Sequence, residues 1–204
     1  MLSVSSRRTV VAAAVVSAAV LGWSNVGASG TPTRAAAAAA KPPGTVTATP
    51  ITQRPGTLAP GTRVRSADLF GQRVFTDAQH GFALASVVDA DYPVATSDGG
   101  KRWKTDGPAL HLHAAQAPLA VVFIGAVSRN TVFAWGGGQV IDATSDAGKD
   151  WYGTLFTDGG PVGVVRGLTG DSVAFVGSFN GARIWQYVSK DGGRTWHYQT
   201  TVRG

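Results

Sequence analysis

Thr96-Ser97-Asp98-Gly99-Gly100-Lys101-Arg102-Trp103 is the first of three versions of one phrase in this 204-residue chain. The phrase returns as Thr144-Ser145-Asp146-Ala147-Gly148-Lys149-Asp150-Trp151 and as Ser189-Lys190-Asp191-Gly192-Gly193-Arg194-Thr195-Trp196. Each version reads hydroxyl, spacer, Asp, spacer, Gly, two spacers, Trp. The three aspartates stand 48 and 45 residues apart. Spacing of that size and regularity marks a repeat architecture, in which one unit cannot bury its apolar face alone. An Asp carboxylate accepting backbone N–H groups a few residues on closes a turn. Gly100, Gly148 and Gly193 supply the positive φ that such a turn needs. Trp103, Trp151 and Trp196 then deliver a large ring at a fixed place after the corner.

Short apolar runs surround each phrase. Gly81–Ala85, Val132–Gly136 and Val173–Gly177 precede the three copies by about a strand and a loop. Before them lie Val74-Phe75, Leu119–Ile124 and Val162–Val165. Pro93–Ala95, Val140-Ile141 and Ile184–Val188 lead into the phrase, and a fourth run follows each Trp. Runs of four to eight residues, rich in β-branched and aromatic types and broken by Gly and Asp, read as strands. Four such strands per repeat make a propeller blade. Ala109–Ala117 is the one stretch with a helical turn in its composition, although His111 and His113 alternate as strand residues do.

The phrase resembles the Asp-box, or bacterial neuraminidase repeat, of sialidases, photosystem II assembly-factor-like proteins and sortilin-type receptors. The third copy matches the Ser-x-Asp-x-Gly-x-Thr-Trp form through Ser189, Asp191, Gly193, Thr195 and Trp196. The first two carry Arg102 and Asp150 where that form has Thr. The resemblance implies a hairpin between the last two strands of a β-propeller blade. The expected fold is all-β: three four-stranded antiparallel blades of propeller type, forming an incomplete, open propeller. The expected repeats are 69–117, 118–160 and 161–204 within a domain spanning 67–204. Three blades are fewer than a closed ring uses. Pairing of two chains, an arc partly covered by the preceding segment, or truncation of a longer protein would each account for that; the arc is the expectation.

The chain opens with Arg7-Arg8, the apolar run Thr9–Trp23 and the small residues Val26-Gly27-Ala28. This is the form of an export signal over residues 1–28. Ser6-Arg7-Arg8-Thr9 fits a twin-arginine signal as well as a general secretory one. Residues 29–66, with six consecutive alanines and Pro42, Pro43, Pro50, Pro55 and Pro60, read as a disordered linker. Within it Gly44–Thr52 alternates weakly, as an edge strand would, and Pro50 excludes a central one. The net charge of +6 resides in the signal and this linker. From Leu69 onward eleven Lys and Arg balance eleven Asp, which argues against a nucleic-acid partner. With no cysteine, the exported domain depends on its core.

The absence of Glu from the sequence removes the Tyr–Glu pair of sialidase chemistry. The chain also lacks the family's Arg-Ile-Pro signature, and Arg183-Ile184-Trp185 is the nearest string. Asp89, Asp91, Asp106 and Asp158 fall in apparent loops and are the carboxylates available to a two-carboxylate glycosidase. His111-Leu112-His113 presents two imidazoles without a third ligand at metal spacing. Asp89-Ala90-Asp91 is a sparse calcium candidate. No catalytic residue, cofactor or metal is assigned. The expected function is an exported, non-catalytic binding or scaffold module. Its expected partner is a protein or a cell-envelope polymer or glycan, met through loop residues such as Tyr92, His111, His113, Arg129 and Asn180, with self-association open to it. A glycan-binding or sialidase-like protein is the alternative.

Overall fold

Each copy of the phrase folds into the same turn, closed by the same three hydrogen bonds. In the first, the Thr96 hydroxyl donates to Asp98 Oδ1 (2.8 Å), Gly100 N–H donates back to that hydroxyl (3.0 Å), and Arg102 N–H donates to Asp98 Oδ1 (2.9 Å). In the second, Thr144 donates to Asp146 (2.9 Å), Gly148 N–H to Thr144 (3.0 Å) and Asp150 N–H to Asp146 (3.0 Å). In the third the distances are 2.7 Å from Ser189 to Asp191, 2.8 Å from Gly193 to Ser189 and 2.9 Å from Thr195 to Asp191. The carboxylate therefore reaches four residues ahead, further than its usual two, because the hydroxyl takes the intervening glycine amide.

The computed structural model describes residues 42, 44–114, 120–166, 171–179 and 183–202. All of them belong to one compact unit, Ala40–Gly204. The export signal assigned to residues 1–28 lies outside the described residues. Strands β1 (Thr45–Thr47), β2 (Thr49–Ile51) and β3 (Arg63–Val64) come first. The first blade is β4 (Leu69–Phe75), β5 (Gly81–Val87), β6 (Ala90–Thr96) and β7 (Trp103–Thr105), with β8 (His111–Leu112) paired to β6. The second is β9 (Phe123–Ala126), β10 (Val132–Trp135), β11 (Val140–Thr144) and β12 (Trp151–Leu155). The third is β13 (Gly159–Arg166), β14 (Ser172–Ser178), β15 (Ile184–Ser189) and β16 (Thr195–Val202). Every pairing is antiparallel, and each turn joins the third strand of its blade to the fourth. A 3-10 turn at Ser66–Asp68 is the one helical element among the described residues. The expected all-β, four-strand blades are borne out.

The main departure concerns the supposed linker. From Gly44 onward it is part of the fold. β1 pairs with β16, β2 with β12 and β3 with β7, so one short segment lines the outer edges of the third, second and first blades in turn. Pro50 sits opposite Tyr152 on such an edge, where its missing N–H costs no ladder bond. A composition of Thr, Pro and Gly hides strands of two and three residues, since so short a run has no periodicity to read.

Apolar side chains collect between the blades. Phe82 and Leu84 of the first blade meet Ile124, Val132, Val140 and Trp151 of the second. Phe133, Trp135 and Ile141 of the second meet Val176, Trp185, Tyr187 and Trp196 of the third. Trp151 and Trp196 thus pack against the blade before their own, and all three turn tryptophans are at most 1% exposed. Trp103 has no preceding blade. Its side is closed by Val64 and Leu58 from the N-terminal segment and by Ala109 and Leu112 from the segment after β7. The Tyr92 hydroxyl fastens this cover by accepting Leu58 N–H at 2.9 Å. Among the described residues the third blade carries no such cover on its outer side, where Val162 and Val165 are 59% and 50% exposed.

One turn is strained. Gly99 and Gly192 hold φ of 72° and 71°, and Ala147 holds the same position at 60°. A left-handed conformation costs a non-glycine residue about 1–2 kcal/mol. The wider freedom of glycine in the unfolded chain returns part of that. Ala147→Gly is therefore expected to stabilise the protein by about 0.5–1 kcal/mol, the reverse of the usual Ala-to-Gly effect. Urea unfolding of the two proteins measures it, and a lower midpoint for the variant would contradict the strain.

Candidate functional site

A cleft of about 570 Å³ opens between the first two blades at the end that carries the turns. Its walls come from the start of the first turn, the tip of the second and the end of β7. Lys104, Arg129, Lys149 and His80 line it, and Asp106 is the one carboxylate among its lining residues. Lys104, Arg129 and Lys149 are exposed. Their placement follows from the turns: Lys149 is a spacer residue of the second, Lys104 follows Trp103, and Arg129 caps the hairpin between β9 and β10.

Arg129 is held in place by its neighbours. Its guanidinium donates to His80 Nε2. Arginine has no acceptor, so the ring hydrogen of His80 lies on Nδ1 and points to Asp77, 2.9 Å away. Asp77 also accepts the backbone N–H groups of Gln79 and His80. These bonds hold its carboxyl down to about 2. Asp77 Oδ2 also lies 3.8 Å from Arg129 Nε, so this one carboxylate orients the imidazole and the guanidinium together.

Asp106 is the opposite case. Its Oδ2 is buried and has no hydrogen-bond partner among the described residues. Burial, followed by the nearby Asp146 charge, pushes its carboxyl up to about 7. Its backbone carbonyl accepts Trp151 Nε1–H at 2.7 Å. Gly148 passes so close that an added Cβ would sit 2.7 Å from Asp106 Oδ1, which makes glycine obligatory in the turn. Asp142, 3% exposed, borders a separate cavity of about 280 Å³ beside Arg54. Burial raises its carboxyl well above the usual range, against the pull of Arg54.

The turn residues named from the sequence bond within the turns, and Thr96 and Gly148 also line the cleft. Arg102 foremost, then backbone and Thr96 donors, hold Asp98 below the usual carboxylate range. Burial works against ionisation of Asp146 and Asp191, and their backbone and hydroxyl donors outweigh it. Several other sequence readings are corrected. Tyr92 lies in β6, fully buried, and presents nothing to a partner. Asp91 is also in β6 and buried, not in a loop. Asp89 sits in the exposed β5–β6 turn, and Asp106 is the only one of the four candidate aspartates that lines the cleft. His111 and His113 lie by the opposite end of β6 from the turn. Asn180 falls outside the described residues. Sequence reasoning found Arg129 and missed Lys104, Lys149 and His80, whose proximity comes from blade packing and not from spacing.

No protein-family model matches the sequence, and no curated protein does. Among solved structures, YCF48 bound to a D1 peptide is similar, at 20% identity over 72% of this chain and 42% of that one, with a TM-score of 0.41. The chain therefore spans under half the length of that protein.

Asp106 gives the protein a pH signature. Its folded value lies near 7, above the ordinary value near 4, so the folded state binds more protons between those limits. Its contribution is complete below about pH 4 and is lost as pH rises to about 7. Asp142 acts with the same sign. Asp77 and Asp98 act oppositely, losing their contribution as pH falls below about 4. The melting temperature is expected to be higher at pH 5 than at pH 8. In Asp106→Asn that difference shrinks, by an amount worth at most about 3 kcal/mol, since about two pH units of the linkage fall between pH 5 and pH 8. Thermal melts across pH check this, and an unchanged difference would contradict the buried, unpaired carboxyl.

Proposed function

We propose that this chain is an exported, non-catalytic binding module. It captures a carboxylate-bearing segment of a partner protein in the cleft between its first two blades. The observation that carries the reading is the pairing of three exposed cations, Lys104, Arg129 and Lys149, with a single carboxylate that resists ionisation. Such a cleft attracts anions and offers no second acid for hydrolysis, whereas a glycosidase needs two carboxylates across its substrate. Lys104 is set by β7, Arg129 by the β9–β10 hairpin and Lys149 by the second turn, and loops at one end of a blade stack are where partner specificity is carried. The likeness of the turns to the Asp-box agrees with a scaffold role. The Arg7-Arg8 start and the apolar run after it support export, and an exported chain would meet its partner outside the cytoplasm or at the cell wall.

Glycans with carboxylates share the chemistry that the cations recognise. The protein reading is preferred because the cleft is open to solvent and lies among turns at one end of the blades, where partner-binding loops are carried.

Fluorescence anisotropy with a labelled oligoglutamate peptide tests the proposal, with an oligolysine peptide and an oligogalacturonate as the other arms. The glutamate peptide is expected to bind, to weaken as salt rises, and to lose at least tenfold in affinity in Arg129→Glu or Lys149→Glu, about 1.4 kcal/mol or more. Equal binding by the charge-reversal variants would reject the cleft. Binding of the oligogalacturonate alone would move the assignment to glycans.

A further inference from the structure

Asp91, His111 and His113 come together on one sheet, far from one another in sequence only for the carboxylate. Cross-strand pairing sets Asp91 of β6 between Ser86 of β5 and His111 of β8. Asp91 Oδ2 lies 3.0 Å from His111 Nδ1, and Asp91 Oδ1 lies 2.9 Å from His113 Nε2. The three ligand-type atoms all fall within 4.8 Å of one another. The side chains of Asp91 and His111 are each 12% exposed, and that of His113 is 40% exposed.

We propose that these three residues bind a divalent transition-metal ion of the zinc type. Two imidazoles and a carboxylate form a donor set that suits zinc, with hard oxygen-seeking calcium or magnesium disfavoured by the two nitrogens. The two rings converge with different nitrogens, Nδ1 from His111 and Nε2 from His113, on opposite oxygens of one carboxylate. Zinc in a tetrahedral site holds its ligand atoms about 3.3 Å apart, from bonds of about 2.0–2.1 Å. The two His–Asp separations, each to its own oxygen, are close to that figure, and all three ligand atoms lie within 4.8 Å, so side-chain adjustments bring them onto one ion. Three protein ligands leave a fourth position on the exposed side of His113, for water or a donor from a partner. The Ser86 hydroxyl, 3.2 Å from His113 Nε2 in the ion-free protein, must give up that contact when the nitrogen takes the ion, and then stands beside the fourth position to hydrogen-bond the water there.

The backbone is prepared for the load. Leu110 N–H donates to Asp91 O at 2.9 Å and His113 N–H donates to Asp89 O at 2.8 Å, so the histidine segment is clamped on both sides of its ligands. The β5–β6 turn is tight, with Val88 and Asp89 at φ of 47° and 54°. Val88 is branched at Cβ and 73% exposed, a conformation that is retained only when the surroundings hold it. An ion across Asp91 and the two histidines would cross-link the turn to the segment that covers Trp103, and would stabilise the folded state by mass action.

Calorimetric titration of the EDTA-stripped full chain with zinc chloride tests the site. One ion per chain is expected, with a rise in melting temperature that EDTA reverses. Cobalt(II) should give the visible absorption of a four-coordinate centre. Asp91→Asn and His113→Ala are each expected to weaken binding at least tenfold, while His197→Ala leaves it unchanged. His113 is the more exposed ligand, so His113→Ala keeps the test alive if the buried Asp91 variant misfolds. Absence of saturable one-to-one binding would overturn the proposal. So would zinc affinity unaltered by His113→Ala, or calcium binding as tight as zinc.

Discussion

A hydroxyl and a carboxylate two residues apart, bridged to each other and to backbone N–H groups, hold this molecule together. The hydroxyl of Thr96, Thr144 or Ser189 donates to its Asp and accepts from the following Gly. The Asp accepts again, four residues on. That closes each corner, and in the first two the residue before the glycine also donates its N–H to the adjacent hairpin, Gly99 to Gln79 O and Ala147 to Asn130 O. The glycine then lies flat enough for the preceding blade to approach, and the tryptophan three residues later turns into the gap. In the second corner the ring even donates to the neighbouring blade, through Trp151 Nε1–H and Asp106 O. Local turn chemistry and inter-blade packing are thus one device, used three times.

An arc of three blades has ends and edges to protect. The segment from Gly44 to Val64 deals with most of them. Its short strands satisfy the outer edges of all three blades, which would otherwise present unpaired backbone groups. Its Leu58 and Val64 cover Trp103, standing where a preceding blade would be. That cover occupies the face a second chain would need for a head-to-tail ring of six blades, so the segment favours the arc. The outer side of the third blade stays apolar and exposed at Val162 and Val165.

Much of this was legible because it rests on local chemistry. The three corners, the strands on either side of them and the edge character of Pro50 follow from residue types at fixed spacing. What was not legible depends on chain segments meeting from a distance. Tyr92, in an Asp-Tyr-Pro run, looks like a loop residue, yet it is buried because β7 and the Leu58 segment close over β6. Asp106 looks like a solvated loop acid until Gly148 arrives against it. His111 and His113 lacked a third ligand by spacing. Asp91 becomes that ligand because β8 folds back along β6, and no feature between residues 91 and 111 announces that pairing. The cations of the cleft were hidden for the same reason, since Lys104 and Lys149 belong to different repeats.

Amide hydrogen exchange resolved by residue tests the central claim, that the three corners are intrinsic parts of the folded core and not exposed loops. The amides of Gly100, Gly148 and Gly193, and of Arg102, Asp150 and Thr195, should exchange only as slowly as the whole domain unfolds. Exchange of these six amides at the rate of open loops, with the strands beside them still protected, would contradict the account.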